Sequence, residues 1–187
     1  MVFSLLSRVV NSVKGGVSGG LKGVTNVGDA VIGLVKKTTI TSLKGAGDVV
    51  STGVGAASSV VKGAIDGVAD VGVALVGAIK GVVHGAVEGL MASGVKQDEA
   101  VKGAVGQALH SAKDLGLNVA STAVEAVSGS IDAIQKIGGD TVNATRQSVM
   151  AAIEAATEIS SEAADAVSGA LEESIDGAKE IIASIKK

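Results

Sequence analysis

VKGAIDGVADVGVALVGAIKGVVHGAVEGL, residues 61 to 90, decides the fold class. Placed at about 100° per residue, Lys62, Asp66, Asp70, Lys80, His84 and Glu88 fall in a wedge about 80° wide, shared only with Val73 and Gly77. The rest of the surface divides into two bands. One carries the larger aliphatics Val61, Ile65, Val68, Leu75, Ile79, Val83 and Leu90, and the other carries Gly63, Gly67, Gly81, Gly85 and Gly89. A strand must be weighed, because the six polar positions are all even-numbered and Val is abundant. On a period of two, however, the polar face would also hold Ala64, Val68, Val76, Val82 and Leu90, so the helical wedge separates the classes better.

Working outward, Lys-Gly recurs at 22, 44, 62, 80 and 102. Spacings of 18 and 22 residues are close to whole numbers of helical turns, and 22 is two 11-residue units of about three turns each. Across all 187 residues there are 27 Gly and no Pro, Cys, Trp or Tyr, and Phe3 is the sole aromatic. Missing Pro fits long uninterrupted helix. Missing Cys excludes disulfides and thiolate metal sites. The expected fold is all-α: long, extended Gly/Ala/Val-rich amphipathic helices with a coiled-coil-like C-terminal part, rather than a single-core globule. Gly inside a helix costs roughly 1 kcal/mol relative to Ala. The glycine-rich part therefore needs support, either from close helix contact or from an apolar surface.

Charge is uneven. Residues 1–96 carry nine Lys or Arg against five acids, and the remainder carries seven against fourteen. Of the glycines, 22 lie at or before Gly116. Three regions are expected: a basic, Gly-rich repeat region over 1–95, an intermediate amphipathic helix over 96–139, and an acidic amphipathic helix over 140–187. Breaks fall at Ala92–Glu99 and at Gly138-Gly139-Asp140-Thr141, where a Gly pair stops one helix and Asp140 caps the next.

Near the N-terminus, Phe3, Leu6, Val9, Val10 and Val13 alternate with polar residues at helical spacing. Arg8 interrupts the apolar run, so the segment reads as a short amphipathic helix and not as a secretory signal. The longest uncharged stretch, Val49 to Val61, is 13 residues, short of the roughly 20 a conventional transmembrane helix needs. In the last part, Val167, Leu171, Ala178, Ile181 and Ile185 follow a three-four spacing, a narrow seam suited to pairing between copies. Glu172, Glu173, Asp176 and Glu180 leave the opposite side acidic.

Chemistry has few candidates. His84 and His110 lack a second histidine at metal-ligand spacing and read as polar-stripe residues. Glu154, Glu158, Glu162 and Asp165 run down one helix side as a solvated face does. No catalytic residue, metal or cofactor is expected. With no aromatic platform and a net charge of -3, neither is nucleic acid.

The Lys-Gly anchors, 11-residue spacing and Val, Ala and Thr-rich faces of residues 14 to 110 resemble the amphipathic repeats of perilipins and synucleins. That resemblance implies helices lying on lipid droplets or vesicles, with Phe3, Leu6 and the aliphatic band facing lipid or packing helix on helix. Arg8, Lys14, Lys22, Lys36, Lys37 and Lys44 would meet an anionic surface. The segment is more apolar around its circumference than those families' repeats, which favours burial in an assembly. A second, architectural similarity is to the helical stalk subunits of high-affinity hydrogenases, which implies an oligomeric apolar tube attaching an enzyme to a membrane. The expected protein is thus non-enzymatic, intracellular and peripheral to a lipid surface, or else a self-assembling helical scaffold. Expected partners are lipid, further copies of the chain, and a protein docking on the acidic part.

Overall fold

Four turns set the architecture, and they recur every 22 residues. Gly72, Gly94, Gly116 and Gly138 all adopt positive φ, between 68° and 90°, a region glycine enters without steric cost. At Gly94 the local bonding is complete: its N–H donates to the Met91 carbonyl, and the Val95 N–H donates to the Leu90 carbonyl. This is the double bond of a Schellman stop. Leu117 to Ala112 and Gly139 to Ile134 repeat it. The chain thereby reverses within four residues without proline.

The computed structural model describes residues 2–24, 27–46 and 53–185. Among them are the helices α1 (Val2–Leu21), α2 (Val27–Ala46), α3 (Gly53–Asp70), α4 (Leu75–Ala92), α5 (Gln97–Asp114), α6 (Val119–Lys136), α7 (Thr141–Ile159), α8 (Ser161–Ser174) and α9 (Ala178–Ile185). No strand occurs among the described residues, so the fold is all-α. From α3 to α7 each helix begins 22 residues after the last, an 18-residue helix followed by a four-residue turn.

Except for α2 and α3, each helix packs against its successor, and each helix from α1 to α6 packs more extensively against the next but one. Odd and even helices therefore form two stacked layers, with the core between them. Its largest fully buried side chains include Ile65, Ile79, Leu90, Leu109, Ile134, Leu171 and Ile182. Such short side chains fill the interior only if the helices come close.

The expectation of long, extended helices is corrected. The wedge drawn through residues 62 to 88 is cut at Gly72, and its two halves belong to different layers. Lys62 and Lys80, 18 residues apart, straddle a turn and sit at different places in the repeat. The true period is 22. Turns do fall at 93–96 and 137–140, and Asp140 caps α7 by accepting from the Asn143 N–H at 3.0 Å. After α7 the repeat stops: Ser160 alone, in extended backbone, separates α7 from α8 and accepts from the Ala163 N–H.

Candidate functional site

Glycine builds the contacts within each layer. A methyl group added at Gly63 would overlap the Val10 carbonyl of α1, and one at Gly67 would come 2.7 Å from the Lys14 carbonyl. Gly85 meets Ile32 and Gly89 meets Lys36 and Thr39 on α2, while Gly81 lies against Gly28. Farther on, Gly103 meets Val54 of α3 and Gly129 meets Lys80 of α4. All five expected close-packing glycines thus touch the backbone of the helix two before. In α7 the corresponding positions hold Ala151 and Ala155, and Gly106 of α5 has only the Ala155 Cβ near it, at 3.9 Å.

The aliphatic band is spent inside the chain. Val61, Ile65, Val68, Ile79, Val83 and Leu90 are buried, while Leu6 and Leu75 are half-buried. The side chain of Phe3 lies outside the described residues. Of the C-terminal seam expected between copies, Val167, Leu171 and Ala178 are buried within the chain itself, Ile181 is half-buried, and Ile185 is exposed. That seam is filled because α8 and α9 fold back onto α6 and α7.

Polar residues tie the same neighbours together. Lys80 of α4 pairs with Asp132 of α6 at 2.7 Å, and Lys102 of α5 with Glu154 of α7 at 2.8 Å. Lys14 of α1 pairs with Asp70 of α3 at 3.1 Å. Pairs 52 residues apart, such as Lys102 and Glu154, span two repeats plus roughly two helical turns. His110 reaches Glu158 at 3.0 Å. Among the expected anionic-surface residues, Lys14 and Lys36 are engaged in such pairs, whereas Arg8, Lys22, Lys37 and Lys44 are exposed.

Glu88 is the centre of the even layer. Only 2% exposed, its carboxylate lies 3.5 Å from Lys36 of α2 and 3.2 Å from Lys136 of α6. One buried anion thus holds three helices. His84, one turn earlier and 7% exposed, has its Nε2 3.8 Å from Glu88, too far for a hydrogen bond. That nitrogen has no partner. Burial lowers the pKa of His84, with Lys136 and Lys80 acting in the same direction and Glu88 and Asp132 opposing. The imidazole is therefore neutral at pH 7.

Beside it opens a cleft of about 720 Å³ between the N-terminal halves of α2 and α4 and reaching α6. Val27, Val31, Ile32, Val73 and Ala78 make its walls, and Lys80, His84 and Asp132 supply polar groups. Among the described residues no hydroxyl or thiol lines it. Among the described residues no group of three or more His, Asp or Glu side chains is placed to hold a metal.

Sequence reasoning missed Glu88 as a hub, its partner Lys136, and the cleft. The signal was present in the 22-residue spacing of Gly72, Gly94, Gly116 and Gly138, which fixes which helices neighbour one another. Among the described residues one helix, Leu75–Ala92, is long and apolar enough to cross a membrane, although Lys80 and Glu88 interrupt its uncharged run. In the fold 67% of that span is buried inside the chain. No family model, curated protein or solved structure matches the chain.

Proposed function

We propose that the protein is a non-enzymatic helical scaffold unit whose copies join head to tail. The observation that carries this reading is the unfilled first edge of the array. Gly15 and Gly19 of α1 occupy the repeat positions of Gly63 and Gly67, and Gly33 of α2 that of Gly81. Nothing lies within 4 Å of a Cβ built at any of them. These glycines have the spacing that elsewhere receives a helix, and among the described residues no helix lies against them.

Charge supports the same pairing. The first edge, residues 2–46, carries six basic residues (Arg8, Lys14, Lys22, Lys36, Lys37 and Lys44) against Asp29, and the last, residues 161–185, carries six acids against Lys179. Opposite edges attract and like edges repel, which selects head-to-tail over head-to-head contact. Such a contact is heterologous and generates rings or open stacks. Lipid association draws less support, because the aliphatic band it would use is already buried.

Light scattering tests the proposal. At low ionic strength the mass should be a multiple of 18.1 kDa. Near 1 M salt, where screening acts within about 3 Å, it should fall towards the monomer. Joint Lys37→Glu and Lys44→Glu replacement should abolish assembly. A monomer at low salt that floats with anionic vesicles would overturn the proposal in favour of lipid association.

A further inference from the structure

We infer that the cleft between α2 and α4 is a binding site for one uncharged aliphatic molecule, such as a medium-chain alcohol. This stands independently of whether copies stack.

Two glycines of the cleft have no task in the packing. Gly81, where the helices meet, is held to glycine by contact: a Cβ there would come 3.3 Å from the Gly28 carbonyl and 3.3 Å from Val31. Gly28 of α2 and Gly77 of α4 differ. A Cβ on either would meet nothing within 4 Å, and neither adopts the positive φ that calls for glycine. Both lie in helices, where glycine gives up propensity, and nothing in the contacts of the chain offsets that loss. What the two share is that their bare backbones line the cleft. A side chain at either place would take up the space that glycine leaves open.

That space, about 720 Å³, lies within the usual range for small-molecule sites. Val27, Val31, Ile32, Val73 and Ala78 give it aliphatic walls, with no aromatic face for a flat ring to stack on. Its charges are already matched from within. Lys80 is held by Asp132 at 2.7 Å. Asp29 lies in the first turn of α2, and α4 also starts at the cleft, after Ala74. Two helix starts together carry roughly one positive charge, which Asp29 offsets. His84 is neutral, and its unpartnered Nε2 is buried without exposed surface, so it makes no demand on a guest. A cationic head would compete with Lys80 and face two helix starts, and an anionic one would face Asp29 and Asp132. Either ion would leave water without gaining a free partner. An uncharged chain loses no such hydration and gains the mutual burial of its own surface and the aliphatic walls.

Titration calorimetry on the full chain with decan-1-ol, decanoate and decyltrimethylammonium, each below its solubility or micelle limit, tests the assignment. Decan-1-ol should bind one per chain, at least about 10-fold more tightly than either ion. Gly28→Leu and Gly77→Leu, which fill the open space, should each weaken it about 10-fold while the melting temperature holds or rises, so that lost binding is not lost folding. Gly33→Leu, at an open glycine of α2 outside the cleft, should leave binding unchanged. No binding of decan-1-ol, equal or tighter binding of either ion, undiminished binding by either folded cleft variant, or an equal loss in Gly33→Leu would overturn the inference.

Discussion

The front of the molecule, α1 to α6, and its back, α7 with α8, solve the same packing problem with different residues. In front, glycine lets one helix rest on the carbonyls of another, at the cost of helix propensity. At the back, Ala151 and Ala155 take the equivalent places, so the helices are better formers in their own right and Gly106 keeps a 3.9 Å margin. Glycine abundance is therefore a matter of where backbones touch. It also explains the buried glutamate: layers this thin bring Lys36, Glu88 and Lys136 within reach across three helices, whereas the pair of Lys102 with Glu154 sits half-exposed on the surface.

The contrast breaks most sharply by adding one methyl group where glycine meets backbone in the front and one where α5 faces the alanines of α7. Gly85→Ala forces a Cβ against the Ile32 backbone and should cost about 3 kcal/mol in urea unfolding. Gly106→Ala should be neutral or should stabilise by up to about 1 kcal/mol. Equal effects would mean that glycine does not set the spacing of the front. Next in size, Glu88→Ala leaves two lysines facing a vacated site and should cost about 2 kcal/mol. Glu154→Ala, at an exposed pair, should cost under about 0.5 kcal/mol. A similar loss at both would remove the distinction between buried hub and surface pair.

At the open edge, Gly15→Ala and Gly19→Ala should each stabilise the dissociated chain in high salt by about 0.5–1 kcal/mol, because only propensity changes there. The same substitution thus reverses sign between α1 and α4. The smallest effect expected is on pH dependence. Since burial holds the His84 pKa below 6.5, the unfolded chain binds a proton that the folded one resists. Stability then falls as pH drops through about 6.5 and is flat above. Glu88, Lys136, Asp132 and Lys80 act on the ring, and the two carboxylates oppose the shift. His84→Leu should flatten this part of the profile between pH 7.5 and 5.5. An unchanged slope would place the titration elsewhere.

Helical class was legible at residues 61 to 90, because polar and apolar positions separate on a helical wheel and not on a strand. The close-packing glycines were legible too, since five of them share one stripe. What escaped was the folding back. Lys-Gly stands out to the eye, but it falls at two different places in the repeat, so its spacing mixes 18 with 22. Gly72 and Gly116 stop helices through φ, which no wheel displays. Once the stops are misplaced, neighbours two helices apart cannot be paired. Lys136 then has no visible relation to Glu88, nor Val27 to Ala74 across the cleft. Asp140 was found because its cap lies in its own side chain.

The account rests on helices that support one another without an external surface. Far-ultraviolet circular dichroism of the full chain in plain buffer, before and after adding anionic vesicles, tests this most directly. The account predicts high helicity in buffer alone, cooperative loss on heating, and no gain with vesicles. Low helicity in buffer that rises on adding lipid would contradict it.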